Sequence, residues 1–142
     1  MKIHQGNFLY AISKIRQNLF SFLEKEMADK KITDISPSDG DILFALDRQG
    51  PLSVQEIAAL TVKDKSTVSS VIKKLEERGF VIRERSGDDS RYVIITLTEK
   101  GKKIKPLLWK ISASMNEKMF KGLSDREKQQ LFELMEKIYA NL

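Results

Sequence analysis

The sequence contains no cysteine, which excludes disulfides, thiol redox sensing and cysteine metal sites. Its single histidine, His4, stands near a terminus expected to fray. Catalysis or metal sensing would need other residues, yet no nucleophile–base pair, phosphate-cradling glycine loop or metal-ligand spacing is visible. An enzyme is therefore not expected, nor is a cofactor or a metal. No apolar run approaches ~18 residues, so no membrane span is expected, and residues 1–10 lack the apolar core of a signal peptide. The chain reads as cytoplasmic. Acid is also in short supply: 25 Lys and Arg against 20 Asp and Glu give a net charge of +5, which favours an anionic partner. The surplus is uneven. Residues 61–98 hold eight basic and six acidic residues, whereas residues 99–123 hold seven and two. Solvated surface lysine is the competing account of the total. The remaining composition, 41% hydrophobic and 32% charged over 142 residues, is that of one globular domain.

The most informative stretch runs from Ser53 to Leu97. Ser53 and Glu56 form a capping box, in which the serine oxygen accepts from the Glu56 amide and the glutamate reaches back to the serine amide. A short helix is thus predicted from Val54, with Ile57, Ala58 and Leu60 on its buried side. Thr61-Val62-Lys63 then offers a turn, and Asp64 can cap a second helix. Val68, Val71, Ile72 and Leu75 follow the spacing of one buried stripe. The opposite face carries Lys65, Ser66, Thr67, Ser69, Ser70, Lys73 and Lys74. Long cations neutralise phosphates or reach guanine acceptors, and short hydroxyls allow close approach to base edges. Gly79 stops this helix in the left-handed conformation that glycine adopts cheaply, and Phe80 folds back over its last turn. Two helices joined by a short turn, the second polar and cationic, form the arrangement of helix-turn-helix DNA readers.

A hairpin follows. Val81 to Arg85 alternates imperfectly, residues 86–90 form a turn-rich tip, and Tyr92 to Leu97 is the return strand. Arg83, Arg85 and Arg91 bracket the tip, where an arginine on a thin wing could enter the narrow, electronegative minor groove. Leu52 is expected to add a short strand beside this wing.

Met1 to Lys31 reads mostly as one long helix whose apolar positions, from Phe8 to Met27, are wide enough to be buried on more than one side. Ser36 and Pro37 start a second helix, with Ile42, Leu43 and Leu46 inside and Gly50-Pro51 ending it. Its Asp39 and Asp41 favour the positive helix end. They lie on different faces with no partner in a recognisable spacing, which argues against acid–base chemistry. After the wing, Thr98 caps a long helix in which Pro106 is expected to produce a kink. Gly122 stops it, and Ser124 with Glu127 opens the last helix. Leu131, Leu134, Ile138 and Leu142 make that helix's stripe, widened by Phe132, Met135 and Tyr139. Lys100, Lys102, Lys103 and Lys105 oppose the dipole at the start of their helix. Local stability does not account for them, so DNA phosphate, an anionic effector or plain solvation remain as explanations.

Lys65-Ser66-Thr67-Val68-Ser69, Leu75-Glu76-Glu77-Arg78-Gly79-Phe80, the wing Asp89-Ser90-Arg91 and the exit Leu97-Thr98-Glu99-Lys100-Gly101 resemble the MarR family of winged-helix transcriptional regulators. The resemblance covers the whole chain in length and helix order. It agrees with a mainly α fold carrying a small β-wing, in which residues 32–98 form the DNA-binding lobe and residues 1–31 and 99–142 a helical dimerisation region. It implies terminal helices that interlock two subunits, in keeping with the apolar stripes at both ends; an intramolecular bundle is the alternative. A dimer aligns two reading helices for half-sites about one duplex turn apart, hence a near-palindromic operator in double-stranded DNA. The implied function is a dimeric, sequence-specific regulator, expected to be a repressor. Base contact is then expected from Ser66, Thr67, Ser69 and Ser70, phosphate or base contact from Lys65, Lys73 and Lys74, and minor-groove contact from Arg91. Asp89 would orient the wing through Arg83 or Arg85. The resemblance also implies a site for a small aromatic or anionic effector, with Tyr10, Phe20, Phe44 and Trp109 as candidate lining; ordinary core packing is the alternative for each. A winged helix used for protein interaction or RNA binding is the competing function.

Overall fold

The computed structural model describes residues 2–61, 63–85 and 93–142. Six helices and a two-stranded hairpin follow one another as α1 (Phe8–Asp29), α2 (Pro37–Gln49), α3 (Val54–Leu60), α4 (Lys65–Glu77), β1 (Val81–Arg85), β2 (Val93–Leu97), α5 (Glu99–Met119) and α6 (Asp125–Ala140). The fold is mainly helical, with a β-wing.

Local sequence sets most element ends. Ser36 with Asp39, Ser53 with Glu56 and Ser124 with Glu127 each form a reciprocal capping box at the start of α2, α3 and α6. The Asp64 carboxylate caps α4 and the Thr98 hydroxyl caps α5. Such caps satisfy amides that the first helical turn leaves without partners. Gly79, at φ 77°, ends the α4 segment in the left-handed region, and the Phe80 amide donates back to the Leu75 carbonyl at 2.9 Å. α5 runs through Pro106 as one element.

The N-terminal helix takes up most of residues 1–31, as its sequence pattern predicts. A 3-10 turn over Gln5–Asn7 precedes it, and the helix begins only at Phe8. The His4 amide donates to the Asn7 carboxamide, and that side chain donates in turn to the Lys2 carbonyl. These local bonds compete with helical pairing at the very residues where a helix would otherwise begin. Of α1, Ala11 and Met27 alone are buried, while Phe8, Ile12, Ile15 and Phe20 stay exposed. Burial on more than one side is therefore not achieved within a single chain.

The core lies between α2, α3, α4, the wing and α5. Ile42, Ile57, Val68, Ile72, Leu75, Val81 and Ile95 have no solvent exposure. Met27 from α1 and Leu108 and Ile111 from α5 complete this cluster. Each such side chain contributes roughly 1.5–3 kcal/mol of transfer free energy. The strands pair antiparallel with Val81 opposite Leu97 and Arg85 opposite Val93. Leu52 adds the expected third element as an isolated bridge to Ile95, with backbone bonds of 3.1 and 2.7 Å. Among the described residues no helix is long and apolar enough to cross a membrane.

Candidate nucleic-acid interface

α4 is built as a two-faced rod. Val68, Ile72 and Leu75 are buried without exposure, whereas Lys65, Ser66, Thr67, Ser69, Ser70, Lys73 and Lys74 are all exposed on the other side. The cap at the helix start is doubly made: Asp64 Oδ1 accepts from the Thr67 amide at 2.9 Å, and Oδ2 accepts from the Thr67 hydroxyl at 2.7 Å. These bonds, the amide first, hold the Asp64 carboxyl below its ordinary value. The Thr67 hydroxyl is thus committed to the cap. Lys65 Nζ donates to Gln55 Oε1 at 3.2 Å, tying α4 to α3. Among the described residues, the side chains of Ser66, Ser69, Ser70, Lys73 and Lys74 meet no hydrogen-bond or ion-pair partner.

The wing joins this face through β1. Arg83 Nε lies 3.1 Å from Glu76 Oε2, bracing the wing against α4. Arg85 is exposed at the end of the strand. Asp89 and Arg91 lie outside the described residues, as does the expected pairing of Asp89 with an arginine.

Several positioning contacts escaped the sequence reading. Lys63, in the turn between α3 and α4, pairs with Asp41 of α2 at 2.6 Å, and its side chain is largely covered. Asp39 is the buried charged residue among those described; it meets Arg78 at 3.4 Å. Asp39 and Asp41 of α2 do point different ways, one to Arg78 at the end of α4 and the other to Lys63 in the turn before it. The signal was the acidic surplus of residues 32–60, five acids against one base, which complements the bases further along.

The lysines at the start of α5 need a different account from the one their sequence suggested, because internal partners take most of them. Lys100 Nζ donates to the Arg78 carbonyl at 2.8 Å, Lys102 pairs with Glu99 at 2.9 Å, and Lys105 pairs with Asp47 at 2.7 Å. Local structure does explain these three. Their partners lie on other elements or one turn away, beyond the reach of the helix dipole alone.

Of the four aromatic candidates for an effector site, the structure brings two together. Phe44 meets Trp109 edge to face at 5.1 Å, with the Arg48 guanidinium over the indole. Trp109 Nε1 donates to Asp47 Oδ2 at 3.1 Å. Partial burial pushes the Asp47 carboxyl up, but bonds from Lys105 and Trp109, with the Lys105 and Arg48 charges, hold it below the ordinary range. Tyr10 is 62% exposed and Phe20 sits under Arg16 on the outer side of α1. Neither lines the space around Phe44. A cleft of about 190 Å³ opens between α1, α2 and α5, bounded by Leu23, Met27, Phe44, Leu108, Ile111 and Met115.

Comparison with known proteins decides the family. The MarR family profile matches residues 33–91. An uncharacterised HTH-type transcriptional regulator of Bacillus subtilis, YkoM, is 33% identical over 82% of this chain and 76% of its own. The chain belongs to the MarR family. It is accordingly a DNA-binding transcription regulator and not an enzyme. A MarR regulator from Methanosarcina mazei superposes with a TM-score of 0.81 at 26% identity, over 96% of each chain. Bordetella bronchiseptica BpsR shares the fold, with a TM-score of 0.84 over 98% of each chain at 21% identity. Placed in a MarR regulator, the hairpin is the wing of the winged-helix fold.

Proposed function

We propose that this MarR regulator acts as a homodimer that represses transcription by binding a near-palindromic operator and is released by a small aromatic or anionic effector. The observation that carries the reading is the pairing of two surfaces exposed among the described residues: the cationic, hydroxyl-rich face of α4 and the apolar faces of α1 and α6. No residue of α6 is buried, and Leu131, Phe132, Leu134, Met135 and Tyr139 are all exposed. Apolar stripes of this extent require cover. A second copy supplies it symmetrically and sets two reading helices side by side. In this reading residues 32–98 are the DNA-binding lobe, and residues 1–31 and 99–142 the dimerisation region.

On the operator, Ser66, Ser69 and Ser70 meet base edges, Lys65, Lys73 and Lys74 meet phosphates or guanine, and Arg83, Arg85 and Arg91 follow the wing towards the minor groove, with Asp89 orienting it. Thr67 contributes chiefly through its cap. In BpsR, DNA binding is regulated by 6-hydroxynicotinic acid, a small aromatic acid. The aromatic ring of such a molecule suits the cleft beside Phe44 at the α1–α2–α5 junction, whose lining also holds Asp41; Tyr10, Phe20 and Trp109 stay outside it.

The test is titration of DNA from the gene's own upstream region against scrambled DNA of equal length, at several salt concentrations. Binding at least ~10³-fold tighter to the upstream DNA, with one dimer per site, is the expected result. Equal binding to both, with the same steep salt dependence, would overturn the repressor reading for that region. Absence of binding to either would favour a protein- or RNA-interaction module.

A further inference from the structure

The last turn of the reading helix is held from two directions. On one side, Arg78, the residue that closes α4, donates through Nη1 to the Asp34 carbonyl at 3.0 Å and reaches the buried Asp39 at 3.4 Å. The other oxygen bonds of this turn run to the start of α5. The Thr98 hydroxyl donates to the Gly79 carbonyl at 2.6 Å, the Thr98 amide donates to the Phe80 carbonyl at 3.1 Å, and Lys100 Nζ donates to the Arg78 carbonyl at 2.8 Å. The Lys100 ammonium also stands 4.2 Å from the Phe80 ring centroid and 3.8 Å from Asp34. Gly101 allows this approach, because a Cβ there would collide with the Phe80 carbonyl.

The three bonds from the start of α5 occupy the carbonyls of Arg78, Gly79 and Phe80, the residues that follow α4, whose own last turn is closed by the amides of the same three residues. Together they fasten the base of the reading helix to the first turn of the helix that runs on into the outer region. α4 has 13 residues and is therefore about 20 Å long. Pivoting it by about 10° at its base moves its reading end by roughly 3.4 Å, the rise of one base pair. Small changes at this anchor are thus amplified into whole steps of half-site spacing.

We infer that Arg78, seated on Asp39, and Lys100, lying against Gly79 and Phe80, are positioning residues that set the spacing between half-sites which the dimer accepts. The inference rests on the proposed dimeric operator reading. Lys100 is half exposed, so Lys100→Met leaves the fold intact while removing the bond to the Arg78 carbonyl. It therefore separates positioning from phosphate contact, the other role open to an exposed lysine.

The experiment selects operators for the full-length wild-type protein from randomised duplexes, then rebuilds the best one with its centre lengthened or shortened by one and two base pairs. Affinities of wild type, Lys100→Met, Lys100→Arg and Arg78→Gln are measured on the set across a range of salt. Wild type should reject each altered spacing by about tenfold or more. Lys100→Met should reduce that rejection to about twofold with an unchanged salt slope, Lys100→Arg should restore it, and Arg78→Gln should relax it likewise. A Lys100→Met protein that keeps the wild-type spacing profile overturns the inference. So does a salt slope shallower by about 0.9 with spacing preference intact, which assigns Lys100 to a phosphate. Failure of wild type to select any two-part site overturns the dimeric operator reading itself, and the inference with it.

Discussion

α4 and α6 carry apolar stripes of the same helical spacing, yet they meet opposite fates. α4 buries Val68, Ile72 and Leu75 completely, while α6 buries nothing and leaves Leu134 57% exposed. Both helices are properly begun, α4 by Asp64 and α6 by a Ser124–Glu127 box. Capping therefore does not distinguish them; partners do. The reading lobe closes on itself because α2, α3, β1 and α5 surround α4, whereas α6 has no such ring. One helix is completed within the chain, and the other is left open along its apolar stripe.

The sharpest way to break this comparison is to truncate equivalent positions on the two helices. Ile72→Ala should cost about 2–5 kcal/mol, read from urea unfolding, because a fully enclosed side chain leaves a cavity. Leu134→Ala in dilute protein should cost less than about 0.5 kcal/mol, the usual range at an exposed site. A large loss at Leu134 that persists on dilution would show that α6 already has an intramolecular partner.

Next in size is the effect on association. Replacing Leu131 and Leu134 by glutamate puts charge on the α6 stripe and should weaken dimerisation about thirtyfold or more, the equivalent of roughly 2 kcal/mol at a buried interface position. Sedimentation equilibrium reads the change, and the near-UV signal of the lobe should stay as it was. A monomeric wild type, or a variant that dimerises unchanged, would remove the symmetric partner from the account.

A smaller effect is expected where the two units meet. Asp47 accepts from Trp109 and pairs with Lys105, joining α2 to α5. Asp47→Asn keeps the shape but loses the charge, and should cost about 1–2 kcal/mol by thermal or urea unfolding at neutral pH. If the joint is a surface pair with no structural consequence, the midpoint will not move.

The legibility of the sequence followed the same division. Features set by neighbours along the chain were readable: the serine boxes, Asp64, Thr98, Gly79 and the buried stripe of α4. Leu52 was readable too, since a β-forming residue after Pro51 had one sheet edge to meet. Features set by distant residues were not. The Lys100 bond to the Arg78 carbonyl spans 22 positions and the Trp109 bond to Asp47 spans 62, so dipole and charge-run arguments had no access to them. Tyr10 and Phe20 were grouped with Phe44 and Trp109 by residue type alone, and helix geometry separates them. The 3-10 turn at Gln5–Asn7 is not legible, because the His4 and Asn7 bonds that set it have no apolar signature.

The smallest effect concerns acid. Glu56 and Glu127 occupy equivalent places in the boxes of α3 and α6, and bonds from Ser53 and Ser124 hold both carboxyls below their ordinary value. A carboxylate whose folded pKa lies below its unfolded one adds stability that is fully present above the unfolded value and is lost as the pH falls through the folded one. Both helices should therefore weaken as the pH falls through and below the ordinary glutamate range. Trp109, the single tryptophan, stands between α2 and α5 and reports on the lobe. Glu56→Gln should lower the lobe's stability at neutral pH and flatten its dependence on acid, seen in tryptophan fluorescence. Glu127→Gln should reduce the far-ultraviolet helix signal and leave the Trp109 transition of the dilute protein in place. If both variants move the Trp109 transition equally, α6 is coupled to the lobe within one chain, and the division between a self-sufficient unit and an unfinished one does not hold.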